Sequence, residues 1–151
     1  MSKKALLVVD VQREFVHDPA YIEQIKALIL DHPYYEIIGT YFKNQKDSTF
    51  ARRLMYFDCM YATKSLITCD KLVEKCSYGL PIETIEYLKQ FSEVNVIGMD
   101  SDACIMAICY QLFDADINFY VLSKYCRSSG GEIINRNAIE ILRRNFGPAI
   151  I

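Results

Sequence analysis

The feature that most constrains this chain is its opening apolar run. After Lys3 and Lys4, residues 5–9 read ALLVV with no polar interruption. A half-buried strand alternates apolar and polar residues, so an unbroken run marks a strand covered on both faces, as in parallel sheets packed by helices. The pattern recurs. Spacing predicts further strands over Glu36–Phe42, Lys71–Lys75, 94–98, 117–122 and 148–151. Between them it predicts helices over 20–30, 48–55, 81–91, 102–113 and 131–145, the first announced by Asp18-Pro19. Strands alternating with helices imply an α/β fold: a parallel sheet with helices on both faces and right-handed crossovers.

The 151 residues suit one domain, 1–151, at roughly 100–200 residues per domain. A net charge of −2 with no basic stripe gives no reason to expect nucleic acid or an anionic membrane as partner. No apolar run approaches the ~20 residues a membrane span needs. The basic pair before the apolar run is followed by Asp10-Val11-Gln12-Arg13-Glu14 rather than by the small-residue cleavage site of an export signal. The expected location is therefore cytoplasmic. The six cysteines, at 59, 69, 76, 104, 109 and 126, include no CxxC pair and fall partly inside apolar segments. They read as reduced thiols rather than a disulfide framework or zinc site. With only His17 and His32 available, a metal held mainly by imidazoles is not expected, and neither is a cofactor.

In open parallel sheets ligands bind beyond the carboxyl ends of the strands. Those ends deliver Asp10, Gln12 and Phe15; then Tyr41 to Asn44; then Lys75 and Tyr78; then Gly98 to Cys104; then Ser123 and Lys124. A carboxylate, an ammonium and a thiol thus converge on one edge. Cys104 falls in the first turn of a helix, where free N–H groups and the helix dipole favour a thiolate. Lys75 would lower the thiol pKa further, Asp10 could carry its proton, and backbone N–H groups around Asp100 and Cys104 could hold an oxyanion. That combination suits acyl transfer from an amide to Cys104 and hydrolysis of the thioester. Taken singly, each residue has an ordinary reading: an inert core thiol, a turn aspartate, a solvated lysine, packed aromatics at Phe15 and Tyr78. The coincidence of position carries the functional reading.

At these residues the sequence resembles the isochorismatase-like cysteine hydrolases, which include nicotinamidases and N-carbamoylsarcosine amidase. ALLVVDVQREF is similar to the family's opening strand, VEKCSYG to its lysine segment, VIGMDSDACIMA to its nucleophile segment, and FGPAII to its closing segment. The resemblance implies a catalytic triad of Asp10, Lys75 and Cys104. It also implies a non-proline cis peptide at Met99–Asp100, with the amides of Asp100 and Cys104 forming the oxyanion hole. The implied architecture is three-layer α/β/α and Rossmann-like, with a mostly parallel sheet of about six strands in the order 3-2-1-4-5-6. The implied partners are a small-molecule substrate and further copies of the chain, as a homodimer or higher homo-oligomer.

The departures narrow this. Metal-dependent nicotinamidases carry an Asp-x-His pair and a further His after the second strand, whereas TYFKNQKDSTFARRL has no His. The stretch instead resembles metal-free members with a Thr-x-Phe-x-Asn pattern, here Thr40, Phe42 and Asn44. Lys124-Tyr125-Cys126 stands where members often show Asp-Ala-Cys, and Ile108 where a small hydroxyl residue often stands. Phe15, Phe42, Asn44 and Tyr78 are the expected substrate-contacting residues. The expected function is metal-free hydrolysis of a small amide or carbamoyl-type C–N bond. The alternatives are a non-catalytic ligand-binding or regulatory member of the family, or a thiol redox protein with Cys109 or Cys126 as the resolving thiol.

Overall fold

A computed structural model describes residues 2–151. Its elements run β1 (Lys4–Val9), α1 (Pro19–Asp31), β2 (Glu36–Phe42), α2 (Thr49–Leu54), β3 (Lys71–Lys75), α3 (Ile82–Leu88), β4 (Glu93–Met99), α4 (Cys104–Asp114), β5 (Phe119–Arg127) and α5 (Glu132–Phe146), then a 3-10 turn at Gly147–Ala149. The sheet is parallel, with the order β3-β2-β1-β4-β5. β1 lies at its centre, as its two-faced burial requires. Ala5, Leu7 and Val9 enter one core with Ile85 and Leu88 of α3, Ile105, Ile108 and Leu112 of α4, and Leu142 of α5. Leu6 and Val8 enter the other, with Tyr21, Ile25 and Leu28 of α1. Successive side chains of a strand point to opposite faces, so one unbroken run feeds both layers.

Two expectations are corrected. Among the described residues the sheet has five strands, not six. Gly147–Ala149 is taken up in the 3-10 turn, and the chain beyond it reaches β5 through a single parallel bridge, Val121 to Ile150. The second correction concerns β5, which runs to Arg127 instead of stopping near residue 122. Its pairing with β4 jumps from Val96–Val121 to Gly98–Cys126, so β5 carries extra residues between the two pairs. Ser123 in this bulge bonds the Ile151 carbonyl, its N–H at 2.7 Å and its hydroxyl at 2.7 Å. The bulge moves the true end of β5 from Ser123-Lys124 to Ser128-Ser129.

Gly98 of β4 pairs with Val9 of β1. Its φ is +124°, and a Cβ there would overlap the Val9 backbone.

Candidate active site

At the end of β1, Asp10 takes a left-handed conformation, φ 50°, which aspartate tolerates better than most residues. Its N–H donates to the Thr40 carbonyl at 3.2 Å and to the Thr40 hydroxyl at 3.1 Å. The same hydroxyl donates to Asp10 Oδ1 at 2.7 Å. Oδ2 faces Lys75 Nζ at 3.0 Å, and both side chains are essentially removed from solvent. Lys75 closes β3 in register with Phe42 of β2. Its ammonium also meets the carbonyls of Ser77 at 2.7 Å and Tyr78 at 3.3 Å, and Cys104 Sγ at 3.3 Å. Four acceptors surround a group with three protons. Burial opposes the Lys75 charge, but Asp10 and Cys104 outweigh it and hold the pKa above the usual lysine value.

Cys104 is the first residue of α4, where its N–H has no intrahelical acceptor. The preceding Met99–Asp100 peptide is cis. Burial pushes the Cys104 thiol up to about 12, and Asp10 adds to the rise while Lys75 opposes it. The direction is opposite to the lowering expected from the helix start and Lys75. Asp10 already matches the charge of Lys75, so a thiolate would be a second anion beside one cation, and burial and the carboxylate both favour the protonated thiol.

Of these groups Cys104 lines a pocket of about 310 Å³, together with Phe15, Phe42, Phe50, Leu54, Tyr56, Tyr78, Asp100, Ala103 and Ser129. Gln12 fixes Phe42 in this wall: its carboxamide accepts from Phe42 N–H at 2.7 Å and donates to the Phe42 carbonyl at 3.0 Å. The Asp100 carboxylate accepts from the Ser129 N–H at 2.8 Å and the Ser129 hydroxyl at 2.6 Å. Asp102 accepts from the Ser128 hydroxyl at 2.6 Å. The loop after β5 is thus fastened to the turn that precedes the thiol.

No family model matches the sequence, and no curated protein is significantly similar to it. Solved structures are similar in fold. The isochorismatase-like hydrolase of Alkaliphilus metalliredigens superposes with a TM-score of 0.76 at 12% identity, over 95% of this chain and 92% of that one. The chain has the isochorismatase-like hydrolase fold. The nicotinamidase of Bacillus subtilis matches with a TM-score of 0.77 at 14% identity, over 98% of both chains. The N-carbamoylsarcosine amidase of Thermoplasma acidophilum matches with a TM-score of 0.73 at 16% identity, over 98% of this chain and 95% of that one.

On this isochorismatase-like fold, the structure brings Asp10, Lys75 and Cys104 together, with Phe15, Phe42 and Tyr78 in the pocket wall. Asn44 is not in that wall. Its carboxamide turns into its own loop, donating to the carbonyls of Tyr56 at 2.9 Å and Asp58 at 3.0 Å and accepting from Gln45 N–H and the Ser48 hydroxyl. It acts on the pocket only by holding the loop that carries Phe50, Leu54 and Tyr56. Ser123 and Lys124 are likewise away from the site, because of the bulge in β5. Ile108 is fully buried in the core. Cys109 and Cys126 are also core residues, and burial raises both thiols. Sequence reasoning missed Phe50, Leu54 and Tyr56 as pocket residues; the signal available was their place just beyond β2. It also missed Ser129, which no local pattern marks. A metal would need a different donor set: among the described residues, no three His, Cys, Asp or Glu side chains gather in a way that could hold an ion. Among them, too, no helix is long and apolar enough to cross a membrane.

Proposed function

We propose that this protein is a cysteine hydrolase that cleaves a small amide or carbamoyl-type C–N bond through a Cys104 thioester. The observation that carries this is the contact of one ammonium, Lys75, with both Asp10 at 3.0 Å and the Cys104 thiol at 3.3 Å, beside a pocket that Cys104 lines. The carbonyl carbon of the substrate lies above Sγ. Asp10 takes the thiol proton as Sγ attacks, and Lys75 stabilises the sulfur as it gains charge. The amides of Asp100 and Cys104 receive the oxyanion. Asp10 then returns the proton to the departing amine, and the C–N bond breaks. A water, deprotonated by Asp10, attacks the thioester. The acid product leaves and Sγ regains its proton.

The raised pKa of the Cys104 thiol supports this order of events, in which the proton moves as the bond forms. Fold alone does not fix a reaction, so the test is chemical. Intact-mass measurement after exposure to a small electrophilic amide analogue should show one adduct on Cys104. Ammonia release from a panel of primary amides should disappear in Cys104→Ala. Unchanged turnover in that variant would overturn the proposal.

A further inference from the structure

The wall of the Cys104 pocket has an unusual balance of groups. Five of its ten residues are aromatic, and four of those rings form a continuous series. Phe50 stands edge-on to Tyr78 and to Phe42, with centroids 4.9 Å apart in each pair, and Phe42 lies 6.4 Å from Tyr56. No Lys, Arg or His is in the wall, whereas the carboxylate of Asp100 is. Lys75 is not in the lining; it is removed from solvent, paired with Asp10, and lies over the Phe42 ring at 5.7 Å to the centroid, which leaves Phe50, Tyr56 and Tyr78 as the rings for a ligand cation. Burial, and to a smaller extent Asp102 and Asp10, raise the pKa of Asp100, and the two bonds from Ser129 oppose the rise. With Asp10 and Lys75 paired, Asp100 is the acidic side chain of the lining. Arg53 lines a neighbouring depression that shares Phe50 and Tyr78, and Arg127 lines another that shares Phe15. The Arg127 guanidinium is directed to the carbonyls of Lys124 and Cys126 and to Gln24, over the Tyr21 ring.

We propose that this pocket selects an amide whose non-reacting end is cationic, a quaternary ammonium or N-alkylated ring seated against the aromatic wall beside Asp100. The proposal rests on the reading of the Cys104 pocket as the substrate site. Ring faces carry negative quadrupole potential and attract cations, most strongly where water is excluded. A carboxylate beside them adds to the attraction and repels anions. The Ser129 N–H and hydroxyl both bond the Asp100 carboxylate and favour its ionised form against the effect of burial. An anionic substrate would find no counter-charge here.

The test uses three benzamides bearing, at the same meta position, a trimethylammonium, a tert-butyl or a carboxylate group. The first two share a shape and differ by one charge. Titration calorimetry on Cys104→Ser, which separates binding from turnover, should show the ammonium compound binding about tenfold more tightly than the tert-butyl compound. The carboxylate should bind weakest. Asp100→Asn should reduce the ammonium advantage to threefold or less. Phe50→Leu should also shrink it, and it serves where Asp100→Asn lowers the melting temperature too far to titrate. Equal or tighter binding of the tert-butyl compound, carboxylate binding that matches the ammonium, an advantage kept in both variants, or no binding at all would each overturn the inference. Ammonia release by the unmodified protein separates the two readings. Equal kcat/KM on all three amides removes the charge selection and leaves the hydrolase standing. Ammonium-selective binding without turnover does the reverse.

Discussion

The chemistry of individual residues here turns on how one cation is shared. Lys75 is close to Asp10 and to Cys104, but its charge is matched by Asp10, and burial together with Asp10 raises the thiol pKa against the pull of Lys75. This gives a signed expectation. In Asp10→Asn the anion is lost, and Lys75 then acts on sulfur alone. The thiol pKa falls, and alkylation of Cys104 by iodoacetamide at pH 7 speeds up about tenfold for each unit of fall. In Lys75→Met the opposing cation is lost and alkylation slows. Time-resolved intact mass, with Cys104→Ser as the control for the other thiols, reads both. A slower reaction in Asp10→Asn would show that the carboxylate does not hold the thiol neutral. Asp10, Lys75 and Cys104 were legible in the sequence because each stands at a strand end or helix start, where element order alone brings it to one edge. Asn44 was misread for a local reason. Its position is right for the pocket, but its side chain is saturated by its own loop, and the direction of a carboxamide is not written in spacing.

At the scale of elements, the parallel strands were readable from apolar runs, and the failures share a cause. Both the shortened sheet and the displaced end of β5 arise from pairing between distant segments: the Gly98–Cys126 register and the grip of Ile151 on Ser123. Periodicity sees neither. Ser129 joined the site through that bulge, and Phe50, Leu54 and Tyr56 through the path of a loop. Gly98 holds the same region together. Because its φ is +124° and a Cβ would overlap the Val9 backbone, Gly98→Ala should destabilise the fold by more than about 1 kcal/mol. The measure is the urea midpoint at unchanged m-value. A midpoint equal to that of the unmodified protein would mean that β1 and β4 can separate at no cost. The fastening of Asp100 by Ser129 lies just past this crossing, so the strand contact and the pocket wall are mechanically joined.

For the whole molecule, the buried thiols add to the response to alkali, in the same direction as the buried Tyr21 and the half-buried Tyr34 and Tyr56, whose pKa values burial also raises. Cys104 and Cys126 are each pushed up to about 12 by burial, and Cys59, Cys69 and Cys109 are also raised from their ordinary 9.0. A group that ionises more easily when unfolded draws the equilibrium toward the unfolded chain once pH passes its unfolded pKa. Lys75 acts in the same direction, since its raised pKa contributes stability that is lost as pH rises through the folded value. Stability should therefore fall progressively above pH 9 and toward 12. Urea titrations at pH 8, 9.5 and 10.5 check this; a flat or rising midpoint would contradict it. One consequence follows from where the cation rides. β3 is the outer strand of the sheet, pairs with β2 alone and is mostly exposed until its final residue, Lys75. Outer strands fray first in native-state fluctuations. Any opening of this one draws the ammonium out and strands the Asp10 carboxylate without a counterion in the dry interior. That penalty works as a latch: the residue poised beside the thiol also keeps the margin of the sheet from peeling, so fluctuation at the edge and the integrity of the site are a single event.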